Sequence, residues 1–477
     1  MIRFAGVLAV VAVTAAAQAP RPRPTDYQRL GREILKELIE ITTTETGVGT
    51  TPAVRAVARR LIAAGFRPSD VQVLGPTPKK QNVVARLRGR GKAKPILLLG
   101  HIDVVDARRE DWSPDLDPFK LTERDGYFYG RGTQDMKGGA AILLTNFIRW
   151  KREGWVPERD IILALTADEE ASGDEIGAAW LLKNHRELVD AEYCLNADGG
   201  DFQTKDGKPV SVGVTAGEKK ETLIELTAAN RGGHASVPRS DNAIYQLTGA
   251  LERIRQLRFP AMLGEVTRAM FAAQAGLETG TLAADLRAAS QDPADPAAVE
   301  RLSEDPYYNA LLRTTCVATQ VNAGLGPSAL PQFATAVLNC RILPGQSSDL
   351  AYHTLRQTIA DEQVKSRWQF LEPGDSPPSP LNPELFGAVR SVVQGMWPGV
   401  PIVPGLETGG TDGRFFRRAG IPAYGLSGLF LEQGDIRAHG RDERIRVGDF
   451  ETGIDFYNRF IKTLVPSHPS TAKVPDA

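Results

Sequence analysis

The stretch ILLLGHIDVV (residues 96–105) is the part of the sequence that best indicates the fold. Its first five residues are apolar or glycine, which is typical of a strand that is covered on both faces of a parallel sheet. His101 and Asp103 follow at the expected end of this strand. Buried polar groups are unfavourable unless they are paired or bind a cation. The pair therefore indicates a functional site at the end of a core strand.

Further predicted strands alternate with predicted helices in the first half of the chain. Apolar or alternating segments predict strands at 82–89, 160–166 and 192–198. Apolar residues at helical spacing and helix-boundary residues predict helices at 27–41, 52–65, 138–151 and 175–185. This alternation favours an α/β fold with a mixed, largely parallel sheet flanked by helices.

The pattern changes near residue 218, where a second and smaller domain is expected. The segment ETLIELTAAN (221–230) alternates and predicts an antiparallel edge-type strand, and residues 332–345 predict another strand. Together with amphipathic helices at 242–257 and 351–362, these strands predict an α+β sandwich over 218–374, with a helical insertion near 258–312. This small domain would be inserted between two parts of the larger one, residues 18–217 and 375–477.

The N-terminus predicts export from the cytoplasm. In MIRFAGVLAVVAVTAAAQAP (1–20), Arg3 precedes an apolar run and three alanines, which is typical of a signal peptide covering residues 1–17. A membrane anchor is the alternative, but the run is shorter than the roughly 20 residues that span a bilayer. We therefore expect a periplasmic or secreted protein without a membrane span in the mature chain.

Charge and cysteine content limit the function classes further. The formal net charge is −1, and no run rich in lysine and arginine suggests a nucleic-acid partner. The three cysteines, Cys194, Cys316 and Cys340, are an odd and sparse set in apolar stretches. We expect them to be small buried residues without a disulfide framework or a metal role.

Metal-type ligands follow four apolar or glycine-rich segments of the predicted α/β domain. They comprise His101 with Asp103, Asp135 in GRGTQDMKGG, Glu169 with Glu170, and Asp198. Ligands bind beyond the carboxyl ends of strands in open α/β sheets, so these side chains should converge in one crevice. A mixture of imidazole and carboxylate donors suits zinc or a similar transition metal.

The segments GHIDVV, GRGTQDMKGG, TADEEASG, RGGHASVP and HGRDER, taken together and in order, resemble the co-catalytic zinc exopeptidases. That family includes carboxypeptidase G-type enzymes, aminoacylase, succinyl-diaminopimelate desuccinylase, peptidase T and carnosinases. The resemblance implies that residues 18–217 and 375–477 form the catalytic zinc domain. It also implies that residues 218–374 form a lid that joins two subunits in a homodimer.

The resemblance assigns roles around two Zn²⁺ ions per chain, or Mn²⁺ or Co²⁺ in their place. Asp135 would bridge the metals, with His101 and Asp198 completing one site. Glu170 and His439 would complete the other site. Glu169 would be the general base, and Asp103 would orient the imidazole of His101. The peptide bond between Asp135 and Met136 would be cis.

The resemblance also implies groups that contact the substrate. His234 would stabilise the oxyanion, often in the partner subunit's site, and Arg341 would pair with a substrate carboxylate. A surface loop and a solvated strand position are the alternatives for these two residues. The glycine-rich loop with Gly409, Gly410 and Thr411 would offer backbone amides to the substrate. Ser328 stands where many relatives have a substrate-binding asparagine, and the insertion near 258–312 is a second departure from the family.

We therefore expect a metallopeptidase or amidohydrolase that cleaves an amide bond next to a free carboxylate. An exported carboxypeptidase or dipeptidase is the first hypothesis, and an N-acyl amino acid amidohydrolase is the alternative. A non-catalytic exported solute-binding protein is a more distant alternative, because it does not explain the paired glutamates or the convergent ligands. A small peptide or an N-acyl amino acid is the expected partner.

Overall fold

The structure, a computed structural model, describes residues 25–171, 175–372 and 374–467. The predicted signal peptide lies outside them. The described α-helices are α1 Asp26–Ile39, α2 Thr51–Ala63, α3 Lys137–Arg152, α4 Ala178–Asn184, α5 Arg186–Val189, α6 Ala243–Gln256, α7 Glu265–Gln274, α8 Gly280–Ala289, α9 Pro296–Leu302, α10 Pro306–Leu312, α11 Ser348–Ile359, α12 Pro383–Met396, α13 Gly413–Arg418 and α14 Val447–Leu464. Within the three described ranges, no helix is long and apolar enough to cross a membrane.

The strands form one large sheet and three smaller ones. They are β1 Val71–Leu74, β2 Asn82–Leu87, β3 Ile96–His101, β4 Thr122–Arg124, β5 Tyr127–Tyr129, β6 Ile161–Thr166, β7 Tyr193–Asn196, β8 Phe202–Lys205, β9 Lys208–Glu218, β10 Lys220–Ala229, β11 Gly233–His234, β12 Thr315–Ala323, β13 Ala329–Leu330, β14 Phe333–Ile342, β15 Val364–Leu371, β16 Ile402–Glu407, β17 Ala423–Gly425, β18 Phe430–Glu432 and β19 Arg444–Arg446.

The large sheet has the strand order β1-β2-β6-β3-β7-β17-β9-β8-β18, with β16 paired to β9. Its centre, β6-β3-β7-β17, is parallel throughout, whereas β1, β2 and β9 introduce antiparallel pairs. Every residue of β3 and β6 is buried, because helices cover both faces of the sheet. Helices α1, α3 and α14 pack on one face, and helices α4 and α13 pack on the other. The predicted mixed α/β class is confirmed.

The second sheet is antiparallel and has the order β12-β14-β10-β15. Alternate residues of β10 and β14 are buried beneath α6 and α11, which is the period-two pattern of a sheet covered on one face. Strand β10 lies between β14 and β15, so the prediction that this segment is edge-type is wrong. The alternation of apolar and polar residues indicates that one face of a strand is buried. It does not indicate whether both edges of the strand are paired.

Residues 258–312 contribute helices α7 to α10. Their apolar side chains, such as Met270, Phe271 and Leu286, belong to the same core as the large sheet and not to the core of the second sheet. Helix α7 packs against β16. The insertion is therefore attached to the larger domain, although it lies in sequence between elements of the smaller sheet.

A disulfide between Cys316 and Cys340 contradicts the expectation that the cysteines form no such bond. The two residues are directly opposite each other on β12 and β14. This pairing depends on the strand register, which the spacing of cysteines along the chain does not reveal. Cys194 is free and buried, as expected.

Replacing both Cys316 and Cys340 with serine is expected to lower the free energy of unfolding by about 2–4 kcal/mol, because the bond closes a loop of 24 residues. Denaturant unfolding of both proteins, with and without a reducing agent, measures the difference. The reductant should destabilise the wild type and leave the double variant unchanged. A wild type that is equally stable in both conditions would contradict the bond.

Candidate metal centre

Three strand ends and two loops bring the predicted ligands to one edge of the large sheet. His101 ends β3, Glu169 and Glu170 follow β6, and Asp198 follows β7, and these strands run parallel. Asp135 lies two residues before α3 and His439 lies on the loop before β19. The peptide bond between Asp135 and Met136 is cis, as the resemblance implied.

The carboxylate of Asp135 lies between two imidazoles. Its Oδ1 atom is 3.0 Å from Nε2 of His101, and its Oδ2 atom is 3.1 Å from Nε2 of His439. The same nitrogen of His101 is 3.8 Å from Oδ2 of Asp198, and that of His439 is 3.0 Å from Oε2 of Glu170. The five predicted ligands thus lie together around Asp135, whereas their division between two metal ions stays a prediction.

These residues fit a divalent metal. A tetrahedral zinc ion with bonds of 2.0–2.1 Å separates its donor atoms by about 3.3 Å, and the four distances lie near this value. Ligand atoms of His101, Asp135 and Glu170 lie within 4.8 Å of one another, as do those of His101, Glu169 and Asp198. The His, Asp and Glu cluster can therefore hold metal.

The electrostatics of the cluster also favour a cation. Burial, together with the charge of Asp135, raises the pKa of Asp198 to about 8. Burial acts in the same direction on Asp135, but the two imidazoles hold the pKa of that carboxyl below its usual range. Hydrogen bonds to Asp135 and Glu170 raise the pKa of His439 to about 10. A bound metal would supply the positive charge that protons otherwise supply between these carboxylates and imidazoles.

Asp103 contacts the loop that carries the two glutamates. Its carboxylate accepts hydrogen bonds from the backbone amides of Glu169 (3.3 Å) and Glu170 (3.1 Å). Nδ1 of His101 is 3.1 Å from the backbone carbonyl oxygen of Asp103 and 3.6 Å from its carboxylate. Asp103 therefore has two roles: it fixes the backbone of Glu169 and Glu170, and it lies against the imidazole of His101. The sequence predicted only the contact with His101.

Glu169 lies in a nearly closed environment. Burial raises the pKa of its carboxyl well above the usual value, and nearby Asp198 and Asp412 act in the same direction. The charge of His101 opposes this effect, as does the guanidinium of Arg414, which is 3.7 Å from Oε1 of Glu169. Sequence reasoning missed Arg414, although it lies three residues beyond the glycine-rich loop. A carboxyl that holds a proton readily is suited to general acid and base chemistry.

A second missed residue, Glu443, joins the loops that carry Asp135 and His439. Its fully buried carboxylate accepts hydrogen bonds from the amides of Gln134 and Asp135 (2.7 and 3.1 Å) and pairs with Arg131 (2.6 Å). Arg131 also donates to the carbonyl oxygen of His439. The sequence offered one sign of this ion pair, since Arg131 of the motif GRGTQD and Glu443 of the motif HGRDER carry opposite charges.

The glycine-rich loop lies beside the cluster. Gly409, Gly410 and Thr411 line a cleft of about 250 Å³ that also includes Asp135 and Asp198. The amide and hydroxyl of Thr411 donate to the buried carboxylate of Glu218, and its hydroxyl accepts from Asn196. These bonds fix the loop at the position predicted for substrate contacts, whereas the contacts themselves stay a prediction.

His234 and Arg341 lie on the smaller sheets and not in the cluster. His234 is exposed on β11, with Nδ1 2.6 Å from the hydroxyl of Ser236. The backbone carbonyl oxygen of Ser328 accepts a hydrogen bond from the backbone amide of Ala235. Arg341 is half-buried on β14 and forms an ion pair of 2.9 Å with Glu221. In the part of the chain that the structure describes, no hydrogen bond or ion pair connects His234 or Arg341 to the metal ligands.

Comparison with known proteins identifies the family of this chain. The model of peptidase family M20/M25/M40 matches residues 97–463. The chain belongs to this family. An M20-family metallo-carboxypeptidase from Sulfolobus solfataricus, Sso-CP2, has the same fold, with a TM-score of 0.68 and 17% identity over 91% of this chain and 99% of that one. The resemblance found in the sequence is confirmed.

Two curated relatives show which activities occur among proteins that are similar to this chain. The N-fatty-acyl-amino acid synthase/hydrolase of Xenopus tropicalis is 32% identical over 396 residues, 79% of this chain and 75% of the relative. A probable carboxypeptidase S-like protein of Dictyostelium discoideum is 31% identical over 77% of this chain and 71% of the relative. The chain is therefore a hydrolytic metalloenzyme, and the solute-binding alternative is not supported.

Proposed function

We propose that this chain hydrolyses the amide bond of N-acyl amino acids. The observation that carries the proposal is the metal-ligand cluster with the buried Glu169 beside it, next to a cleft that is lined by the glycine-rich loop. The similarity to an N-fatty-acyl-amino acid synthase/hydrolase supports this choice over a peptide substrate. The N-acyl amino acid amidohydrolase, which was the alternative hypothesis from the sequence, is thus preferred here to the carboxypeptidase or dipeptidase.

The residues of the chain supply positioning and proton transfer. Two Zn²⁺ ions, which Mn²⁺ or Co²⁺ could replace, would polarise the scissile carbonyl group and make water more acidic. His101 and Asp198 would hold one ion, Glu170 and His439 the other, and Asp135 both. Glu169 takes a proton from the attacking water and delivers it to the nitrogen of the departing amino acid. Asp103 keeps the backbone of Glu169 in place.

A carboxypeptidase or dipeptidase activity is the second candidate. The similarity to a carboxypeptidase S-like protein favours it, and both reactions cleave an amide bond next to a free carboxylate. Thr411 and its glycine neighbours are the nearest candidates for contacting that carboxylate, because Arg341 is already paired with Glu221. Arg341 would take this role only if the substrate displaces Glu221.

Hydrolysis assays on matched substrates test the proposal. N-acetyl and N-dodecanoyl derivatives of leucine and phenylalanine are compared with Ala-Leu and Ala-Phe, in the presence of Zn²⁺ and of Mn²⁺. We expect kcat/KM for at least one N-acyl substrate to exceed that for the dipeptide with the same carboxyl-terminal residue by tenfold or more. Faster cleavage of the dipeptides would favour the second candidate instead. The metal content of the purified protein tests the two-ion assignment.

Export would place this enzyme in an oxidising compartment. The disulfide between Cys316 and Cys340 supports this location, because such bonds persist mainly in secreted and periplasmic proteins. The signal-type N-terminus supports it independently. Mass spectrometry of the native protein tests the assignment, with an N-terminus at Gln18 as the expected result.

A homodimer through the second sheet is proposed as well. Strand β12 is an edge of that sheet and is mostly exposed, with Val317 and Val321 more than half accessible. Open apolar edges pair readily with another strand. Two copies of β12 would pair about a twofold axis, and the resemblance implies that His234 would then act in the partner's site.

The Val321→Asp variant is expected to be monomeric, because a charged side chain would then have to be buried in the paired edge. Light scattering coupled to size exclusion measures the mass, which is 51.7 kDa for one chain of all 477 residues and less without residues 1–17. Val48→Asp, on an equally exposed valine of the larger domain, is the control and should stay dimeric. A monomeric wild type would refute the proposed interface.

A further inference from the structure

The segment that precedes β2 holds the loop that follows β6. These strands are antiparallel, with Val83 opposite Leu165. Continued by three residues, the same register places Lys80 opposite Asp168, and Nζ of Lys80 donates to the carboxylate of Asp168. Asp168 directly precedes Glu169 in the sequence. The segment before β2 therefore contacts the loop at the residue next to the group that would transfer protons.

The two side chains of this ion pair are largely buried. That of Asp168 is 7% exposed and that of Lys80 is 16% exposed. Within the described ranges of the chain, no other cation forms an ion pair with Asp168. Lys80 pairs with Glu45 as well, but the side chain of Glu45 is 61% exposed and has water as an alternative partner. Because a buried charge without a partner is unfavourable, Lys80 determines where the carboxylate of Asp168 lies.

The backbone of Asp168 turns the chain just after the end of β6. Its φ angle is 67°, in the left-handed region that residues with a Cβ atom seldom adopt. Such a conformation persists where the surrounding contacts fix it. The residue before it, Ala167, is held by its amide, which donates to the buried side chain of Asn82 (2.8 Å). Asn82 and Lys80 thus hold the chain just before and at the turn that leads into Glu169.

We propose that Lys80 is a positioning residue that orients Glu169 through the turn at Asp168. This role rests on the proton transfer that the proposed function assigns to Glu169. The carboxylate of Asp103 accepts hydrogen bonds from the amides of Glu169 and Glu170 and so fixes the chain after the turn. Lys80 fixes the turn itself. Both contacts leave the carboxylate of Glu169 free to exchange protons, and Lys80 acts on it through Asp168.

Variants of the two partners test the role of Lys80. Lys80→Met removes the charge and keeps a long side chain, whereas Lys80→Arg keeps a positive charge. Asp168→Asn removes the charge of the partner, and asparagine tolerates the left-handed backbone as aspartate does. In the double variant Lys80→Met/Asp168→Asn neither member of the buried pair is charged, so this variant replaces Lys80→Met if the latter does not fold. The values of kcat and KM are measured with N-acetyl-leucine, or with Ala-Leu if only dipeptides are cleaved.

Arg88→Met is the matched control, because it also removes the cation from a buried aspartate. Arg88 pairs with Asp70, whose side chain is 7% exposed, as is that of Asp168. Arg88 directly follows β2, whose last residue lies opposite the first residue of β6. The control pair is therefore at the other end of these strands from the metal ligands. Arg88→Met should lower the midpoint of denaturant unfolding about as much as Lys80→Met does, and it should leave kcat and KM unchanged.

Lys80→Met should lower kcat roughly 10- to 100-fold and change KM by less than about threefold, because a misplacement of about 1 Å can cost about 10²-fold in rate. Lys80→Arg should recover most of this loss. Asp168→Asn and the double variant should resemble Lys80→Met, since both partners act on the same turn. In a Glu169→Gln background, adding Lys80→Met should lower kcat by less than about twofold, because no proton-transfer group is left to position.

Three outcomes would overturn the role of Lys80. They are a kcat of Lys80→Met within twofold of the wild type, an equal loss of kcat in Arg88→Met, and an undiminished loss in the Glu169→Gln background. Failure of the proposed function gives a different result. If Glu169→Gln alone retains the wild-type kcat, Glu169 does not transfer protons and there is no such group for Lys80 to position.

Discussion

The Glu169→Gln variant is expected to lose roughly 10³-fold in kcat, because general acid and base catalysis by one side chain contributes about 10²–10⁴-fold. Glutamine keeps the shape of the side chain but cannot take a proton from water or deliver it to the leaving nitrogen. The groups that hold the loop are unchanged, since the carboxylate of Asp103 accepts hydrogen bonds from the backbone amides of Glu169 and Glu170 and not from the Glu169 side chain. The KM value should change little.

Metal content distinguishes the proton-transfer role from a ligand role for Glu169. Its carboxylate lies close enough to His101 and Asp198 to bind an ion with them. If Glu169 moves protons, the variant retains the wild-type metal content and loses turnover. If it is a ligand, the variant loses metal and turnover together. Glu304→Gln, on an exposed glutamate of the insertion, is the control and should match the wild type in both measurements.

The Glu443→Ala variant is expected to weaken metal binding by about 10–100-fold, the usual effect of removing a group that orients ligands. The backbone amides of Gln134 and Asp135 would lose their acceptor, and Arg131 would be left buried without its carboxylate partner. Breaking a buried ion pair in this way lowers the free energy of unfolding by about 3–5 kcal/mol. Titration with Zn²⁺ in competition with a chelator measures the first effect, and denaturant unfolding of the metal-free protein measures the second.

Two further variants separate positioning from general stability. Glu443→Gln keeps an acceptor for the loop amides and should recover part of the metal affinity, although the charge is lost. Glu225→Ala removes another Arg–Glu pair, that with Arg367, which is mostly exposed. This control should cost less than about 1 kcal/mol and leave metal affinity unchanged. Equal metal affinities for wild type and Glu443→Ala would show that Glu443 does not position the ligands.

The convergence of His101, Glu170 and Asp198 could be predicted because it follows from a simple rule. Each of them ends or follows a buried apolar strand, and the carboxyl ends of parallel strands meet at one edge of the sheet. His439 obeys no such rule, since it lies on a loop 269 residues after Glu170 in sequence. The sequence showed it only as a second histidine, and the resemblance alone gave it a role as a ligand.

Features that depend on the register between distant segments could not be predicted. The pairing of Cys316 with Cys340, and that of Arg341 with Glu221, arise because these residues are opposite each other on neighbouring antiparallel strands. The helices of residues 258–312 could be predicted from composition, but the core to which they attach could not. Whether an apolar helix face packs on one sheet or another depends on the tertiary structure.

The Glu443 contacts also bear on how the enzyme acquires its metal. Four of the five predicted ligands, from His101 to Asp198, emerge early during synthesis, whereas His439 and Glu443 emerge only after the entire second sheet. The Asp135 loop lacks its anchoring carboxylate until that late segment folds against it. Metal loading is therefore expected to be the last step of folding. In an exported chain, the metal would be drawn from the compartment where the protein works rather than from the cytoplasm.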